Sequence, residues 1–112
     1  MEIETEPRTV QQVVVRVTGR LDAETCQSLR EHLVQLTHRG VQRVTLDMSA
    51  VTFLDSSGLS VLVAGLKALR QVGGGLNLAA TRSQARTALR LTLLDTILPI
   101  FDTVDAAVTA LN

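Results

Sequence analysis

The stretch spanning residues 44–74, VTLDMSAVTFLDSSGLSVLVAGLKALRQVGG, constrains this chain more than any other. It begins with strand periodicity: Val44, Leu46 and Met48 alternate with other residues, Asp47 lies near the end of the run, and Ser49-Ala50 leaves it. From Leu59 the apolar residues recur at three and four. Leu59, Leu62, Val63, Leu66 and Leu69 make the stripe of a helix lying on a sheet. Between the two stands Leu54-Asp55-Ser56-Ser57-Gly58. Asp55, Ser56 and Ser57 are residue types whose oxygens cap the free amides of a helix start. Gly58 allows a tight turn or a close approach.

The rest of the chain repeats this alternation. Residues 2–6 suit an edge strand stopped by Pro7, and residues 12–18 (QVVVRVT) a strand buried on both faces in its middle. Gly19-Arg20-Leu21-Asp22 reads as a loop, with Asp22 as N-cap of a helix carrying Cys26, Leu29, Leu33 and Leu36 inward and ending at Gly40. Gly73-Gly74-Gly75 breaks the central helix. Residues 76–80 form a fourth strand, and Ser83 caps a helix to about Leu91. Residues 97–101, interrupted by Pro99, suggest an edge strand. Asp102 or Thr103 then caps a last helix with Ala106, Ala107, Ala110 and Leu111 inside. The order β-β-α-β-α-β-α-β-α implies an α/β fold: a mostly parallel, mixed sheet of four or five strands with about four helices and right-handed crossovers. Partners of such sheets meet the loops at the carboxyl ends of the strands, where residues 19–22 and 47–58 fall.

No charged residue occurs between Asp55 and Lys67, and Val61, Ala64, Gly65 and Ala68 leave the outer face of the central helix nearly as apolar as the inner one. Either a neighbouring helix covers that face or it is a protein-docking surface.

Composition removes several classes of function. The 112 residues suffice for one domain with one core. Eleven basic and eleven acidic residues balance, so nothing attracts nucleic acid or an anionic membrane, and Phe53 and Phe101 are the only aromatics available to stack on bases. Cys26 alone permits no internal disulfide. The acidic start Met1-Glu2-Ile3-Glu4 does not read as a signal peptide, and the uncharged runs are too short to span a bilayer, so a cytoplasmic protein is expected. His32 and His38, six apart on one helix, do not share a face as a metal pair would. Cys26 reads as a core thiol. The glycine triplet precedes a strand rather than a helix, the reverse of a phosphate-cradling loop. Arg82, Arg86 and Arg90 read as a solvated stripe. Asp22, Asp47 and Asp55 could converge at one sheet edge, but no nucleophile–base pair accompanies them, so no catalytic residue, metal or cofactor is expected. Ser57 has two readings. It is either a helix cap or a phosphorylation site, where a phosphate would add about −1.5 to −2 charges beside an apolar face.

The segments Leu46-Asp47-Met48-Ser49 and Val51-Thr52-Phe53-Leu54-Asp55-Ser56-Ser57-Gly58-Leu59 resemble the signature of the STAS domain, in the form found in stand-alone bacterial anti-sigma factor antagonists. Gly19-Arg20-Leu21-Asp22, Gly73-Gly74 and Ile97-Leu98-Pro99-Ile100-Phe101 agree with it, and the resemblance takes in residues 1–112 as a single domain with its core at about 2–111. Carried over by position, the resemblance implies Ser57 as phosphoacceptor, with Ser56 as the alternative. It implies that Asp22 helps form the docking surface and that Asp55 positions the serine and the turn; with the apolar outer face of the helix, the expected partner-binding surface is Asp22, Asp55, Ser56, Ser57, Gly58, Ser60, Val61 and Ala64. Ser60 stands where many members carry glycine. The implied partners are an anti-sigma factor that is also a serine kinase of the histidine-kinase-like ATPase fold, and a serine/threonine phosphatase. The unphosphorylated form would sequester the kinase and free a sigma factor. The alternative is a STAS-like structural adaptor subunit of a transport or signalling complex, some of which lack the acceptor serine.

Overall fold

The computed structural model describes residues 1–112. Its strands are β1 (Glu2–Pro7), β2 (Gln12–Leu21), β3 (Arg43–Leu54), β4 (Gly75–Ala79) and β5 (Ile100–Phe101). Its helices are α1 (Cys26–His38), α2 (Ser56–Gln71), α3 (Ser83–Leu91) and α4 (Val104–Ala110). A single turn of 3-10 helix, Leu94–Thr96, precedes β5. The strands lie in the sheet in chain order. β1 is antiparallel to β2 and every other pair is parallel.

Alternation along the strands builds two faces. Val13, Val15 and Val17 of β2, Val44, Leu46 and Met48 of β3, and Leu76 and Leu78 of β4 join α1, α2 and α3 in one core of 23 buried residues. That count explains how a chain with two aromatics closes a core: aliphatic side chains supply nearly all of the buried apolar area. The other face receives α4, and there buried hydrogen bonds accompany the packing of Ala107 and Val108. Buried Asn77 donates through Nδ2 to the Ala107 carbonyl (2.8 Å) and accepts at Oδ1 from Thr45 Oγ1 (2.7 Å), while Gln12 Nε2 donates to the Val108 carbonyl (3.0 Å). The last carbonyls of a helix have no partner within it, and two of those in α4 find theirs on the sheet.

Several boundaries differ from the sequence reading. β2 runs on to Leu21 and β3 to Leu54, so residues 19–21 and 49–54 are strand rather than loop. The β2–β3 register shifts between Arg16 and Thr18 and again between Gly19 and Arg20, each time because β3 carries an extra residue. Past Met48 the inward positions of β3 become Val51 and Leu54, and the two-residue period is lost. β3 pairs with β4 only as far as Asp47, so beyond it the β2–β3 ribbon projects past β4. α1 begins at Cys26 with Thr25 at the cap position, not Asp22, and α3 begins after Arg82 without a side-chain cap from Ser83. In α4, Thr103 and not Asp102 is the cap, accepting from the Ala106 amide, but Ala106 and Ala110 are exposed while Ala107 and Val108 are buried. Val63 of α2 and Cys26 of α1 are half-buried rather than core.

The largest correction concerns the outer face of α2. α1 packs beside α2 on the same side of the sheet, and Val61 is 1% exposed. Gly65 is buried with Leu33 against it. Only a small apolar groove of about 120 Å³ remains between the helices, lined by Val34, Ala64 and Ala68 among others. Val61 is therefore core and cannot serve as a docking residue.

Candidate functional site

The site lies where the projecting β2–β3 ribbon hands over to α2. Leu21 and Leu54 are register partners at the tip of the ribbon, and both are buried. Asp55 follows in extended conformation, and its Oδ1 accepts from the Gly58 amide at 3.1 Å. That single bond is the N-cap of α2. The Ser56 and Ser57 hydroxyls take no part in it, which removes the capping explanation for the serine pair. Ser56 is exposed and Ser57 half-buried. Ser60, exposed one turn on, donates through its hydroxyl to the Ser56 carbonyl (3.0 Å).

Gly58 is fixed by crowding. A Cβ there would stand 2.5 Å from Leu54 Cδ1 and 2.6 Å from the Leu21 carbonyl oxygen. Its lack of a side chain lets the first turn of α2 rest on the end of β2. Gly58 is buried, so it shapes the surface rather than touching a partner.

Asp22 stands beside this turn. Its Oδ2 pairs with Arg20 Nε at 3.1 Å, and its Oδ1 accepts from the Glu24 amide at 3.1 Å. The Thr25 hydroxyl, with one proton to give, sits 2.7 Å from the Arg20 carbonyl and 3.2 Å from Asp22 Oδ1. Asp22 thus closes the turn before α1 instead of capping the helix. The Arg20 bond, with help from Glu24 and Thr25, holds its carboxyl below the usual carboxylate range despite some desolvation. Arg20 also lies over the Phe53 ring, 4.2 Å from the centroid, so its position is set from two sides. Arg20, Asp22, Phe53 and Asp55 line one shallow cleft.

The other candidates separate. Asp47 lies on the opposite sheet face beside Arg16 and Glu4, so the three aspartates do not converge. His32 sits half-buried, 2.6 Å from the Thr5 hydroxyl of β1, while His38 is exposed. Arg82, Arg86 and Arg90 are exposed, and Arg86 reaches Asp102 at 3.7 Å. No cluster of three or more histidine, cysteine or acidic residues could hold a metal, and no helix is long and apolar enough to cross a membrane. Sequence reasoning missed Arg20, Phe53 and Gln84. The Gln84 carboxamide bonds both main-chain groups of Leu54, across thirty positions of chain that leave no periodic signal.

Comparison with known proteins places this geometry. The STAS domain family matches residues 1–107. An anti-sigma F factor antagonist of Paenibacillus polymyxa is 29% identical over 101 residues, which are 89% of this chain and 86% of that protein. The crystal structure of an anti-sigma factor antagonist from Mycobacterium paratuberculosis superposes with a TM-score of 0.84 at 30% identity, covering 98% of this chain and 94% of that one. The fold is also that of SpoIIAA, at 21% identity. Its unphosphorylated form gives a TM-score of 0.85 over 97% of this chain and 95% of SpoIIAA, and its phosphorylated form gives 0.77 over 99% and 100%.

Proposed function

The chain belongs to the STAS domain family, and from that premise we propose that it is an anti-sigma factor antagonist switched off by phosphorylation of Ser57. The observation that carries this reading is the division of labour at the start of α2. Asp55 alone makes the cap, so the Ser57 hydroxyl is spare at a helix N-terminus. The existence of SpoIIAA structures in both phosphorylation states supports the reading that this fold tolerates the modification.

The chain itself carries out no catalysis in this scheme. An anti-sigma factor that is also a serine kinase of histidine-kinase-like fold docks on the unmodified surface and releases its sigma factor. Ser57 Oγ attacks the γ-phosphorus of the kinase-bound nucleoside triphosphate, its proton passes to a base of the kinase, and the bond from the γ-phosphorus to the bridging oxygen breaks as the nucleoside diphosphate departs. The phosphoserine then carries about −1.5 to −2 charges. The positive end of the α2 dipole stabilises it, while the Asp55 carboxylate adjoins it and repels it. The fold survives, and the docking surface gains a dianion beside the Asp55 carboxylate. A serine/threonine phosphatase hydrolyses the phosphoserine with water, which releases inorganic phosphate and restores the Ser57 hydroxyl. On this docking surface Ser56 and Ser60 share the start of α2 with Ser57, Asp22 lies in the cleft beside Asp55, and Ala64 stands two turns further along α2; Asp55 and Gly58 shape the turn, and Val61 is buried.

Intact-mass analysis of the protein from its native host, with co-purifying partners identified in the same sample, tests the proposal. One phosphate mapped to Ser57 and a kinase of this fold in the sample are expected. Ser57→Ala should retain that partner and resist inactivation, and Ser57→Asp should release it. If both variants bind as the parent does, Ser57 is no switch. Transport proteins as the stable companions, with phosphate absent, would favour the adaptor instead.

A further inference from the structure

Beyond Asp47 β3 has no β4 neighbour, so the outer edge of the projecting ribbon needs another source of hydrogen bonds. At Leu54, the residue before the α2 cap, Gln84 supplies them. Leu54 N–H donates to Gln84 Oε1 at 2.9 Å, and Gln84 Nε2 donates to the Leu54 carbonyl at 2.9 Å. A primary amide offers the same donor and acceptor as a peptide group, so this side chain takes the place of a strand residue.

The consequence reaches Ser57 in short steps. The Leu54 side chain lies under Gly58, the amide of Gly58 is held by Asp55, and Asp55 is the next residue after Leu54. On the β2 side the only main-chain bond at Asp55 is a long one, 3.4 Å from its amide to the Leu21 carbonyl. We propose that Gln84 is the positioning residue for the phosphoacceptor: its clamp on Leu54 sets the angle at which the first turn of α2 presents Ser57. This rests on the reading of Ser57 as acceptor. Gln84 is exposed and outside the core, which separates its role from that of a residue needed for folding.

The test begins with the parent, whose phosphorylation at Ser57 by the co-purifying kinase is followed by mass spectrometry. A parent never phosphorylated there overturns the reading of Ser57, and with it the need for a positioning residue, before any variant is made. Given a phosphorylated parent, Gln84→Ala should keep its melting temperature within a few degrees. Its kcat for phosphoryl transfer should fall roughly ten-fold with KM little changed, because a misplaced acceptor docks normally but reacts slowly. The amide resonances of Leu54, Asp55 and Gly58 should shift, and their exchange should quicken. Gln84→Glu adds a readout that loss of packing would not mimic. The introduced carboxylate accepts but cannot donate, whereas its protonated form does both. The Leu54–Gly58 resonances of this variant should therefore return towards parental positions as pH falls through the carboxyl range, with the parent at each pH as reference. Parental kcat in Gln84→Ala, or turn resonances that stay parental in both variants, overturns the proposal.

Discussion

Gly58→Ala is the sharpest test of how the site is built. Elsewhere in a helix the change would be favourable, since alanine is preferred over glycine by about 1 kcal/mol. Here the added carbon would lie 2.5 Å from Leu54 Cδ1, 2.6 Å from the Leu21 carbonyl oxygen and 3.0 Å from Leu21 Cγ. The leucine methyl can rotate away. The carbonyl cannot, because it belongs to the end of β2 in its register with β3. Overpacking of this kind costs about 1–3 kcal/mol. With the obstacle being main chain the upper part of that range applies, and after the helix preference is subtracted about 2 kcal/mol of destabilisation remains. For a chain of this size that lowers the melting temperature by about 8 °C. Gly65→Ala is the control. Its nearest neighbour is Leu33 Cδ1 at 2.8 Å, the end of a flexible side chain, so the melting temperature should stay within about 4 °C of the parent. Thermal unfolding followed by circular dichroism measures both. If Gly58→Ala melts at or above the parental temperature, the first turn of α2 is not seated on β2, and the account of the site fails.

Two further outcomes follow from the burial pattern and the charges. Val61→Glu places a carboxylate where 1% of the residue is exposed, between α1 and α2. It should cost about 3 kcal/mol or more and broaden or abolish cooperative urea unfolding, whereas Ala64→Glu, half-exposed at the groove, should stay folded; a well-folded Val61→Glu protein would restore the exposed-face reading. The pKa of His32 is lowered by burial and then by the Arg39 charge, so the fold favours the neutral ring. The unfolded chain then binds more protons below the ordinary imidazole value of about 6.5. Stability is accordingly full above that pH and declines as pH drops through it, and in a His32→Gln variant urea midpoints between pH 7.5 and 5.5 should lose part of this decline.

Much of this architecture was legible because local pattern and fold agree. The strand–helix alternation, the edge placement of β1 and β5, the cap at Thr103 and the Asp55-Ser56-Ser57-Gly58 turn all follow from spacing and residue type. What was hidden has physical causes. Two extra residues in β3 break its period, so Ala50–Leu54 looks like loop although Val51 and Leu54 point inward. The apolar outer face of α2 looked available because a single helix does not say what lies beside it. The strand order β2-β3-β4 puts both crossover helices on one face, and α1 then covers Val61 and Gly65. Gln84 had no signature, since a polar residue early in an amphipathic helix normally faces water. In the candidate site the serine pair and the Asp55 cap were readable, while the groups that hold them in place are contacts between distant segments.

The β2–β3 ribbon beyond β4 behaves as a cantilever. Its root is hydrogen-bonded between strands on both sides, whereas its tip, from Ala50 to Leu54, has strand hydrogen bonds along the β2 edge alone, a single carboxamide on the other edge, and Val51 and Leu54 seated in the core beneath it. Tip and root can therefore open on separate timescales, with amide exchange near Leu54 outpacing exchange at Leu46 and Leu78 even in a protein that never globally opens.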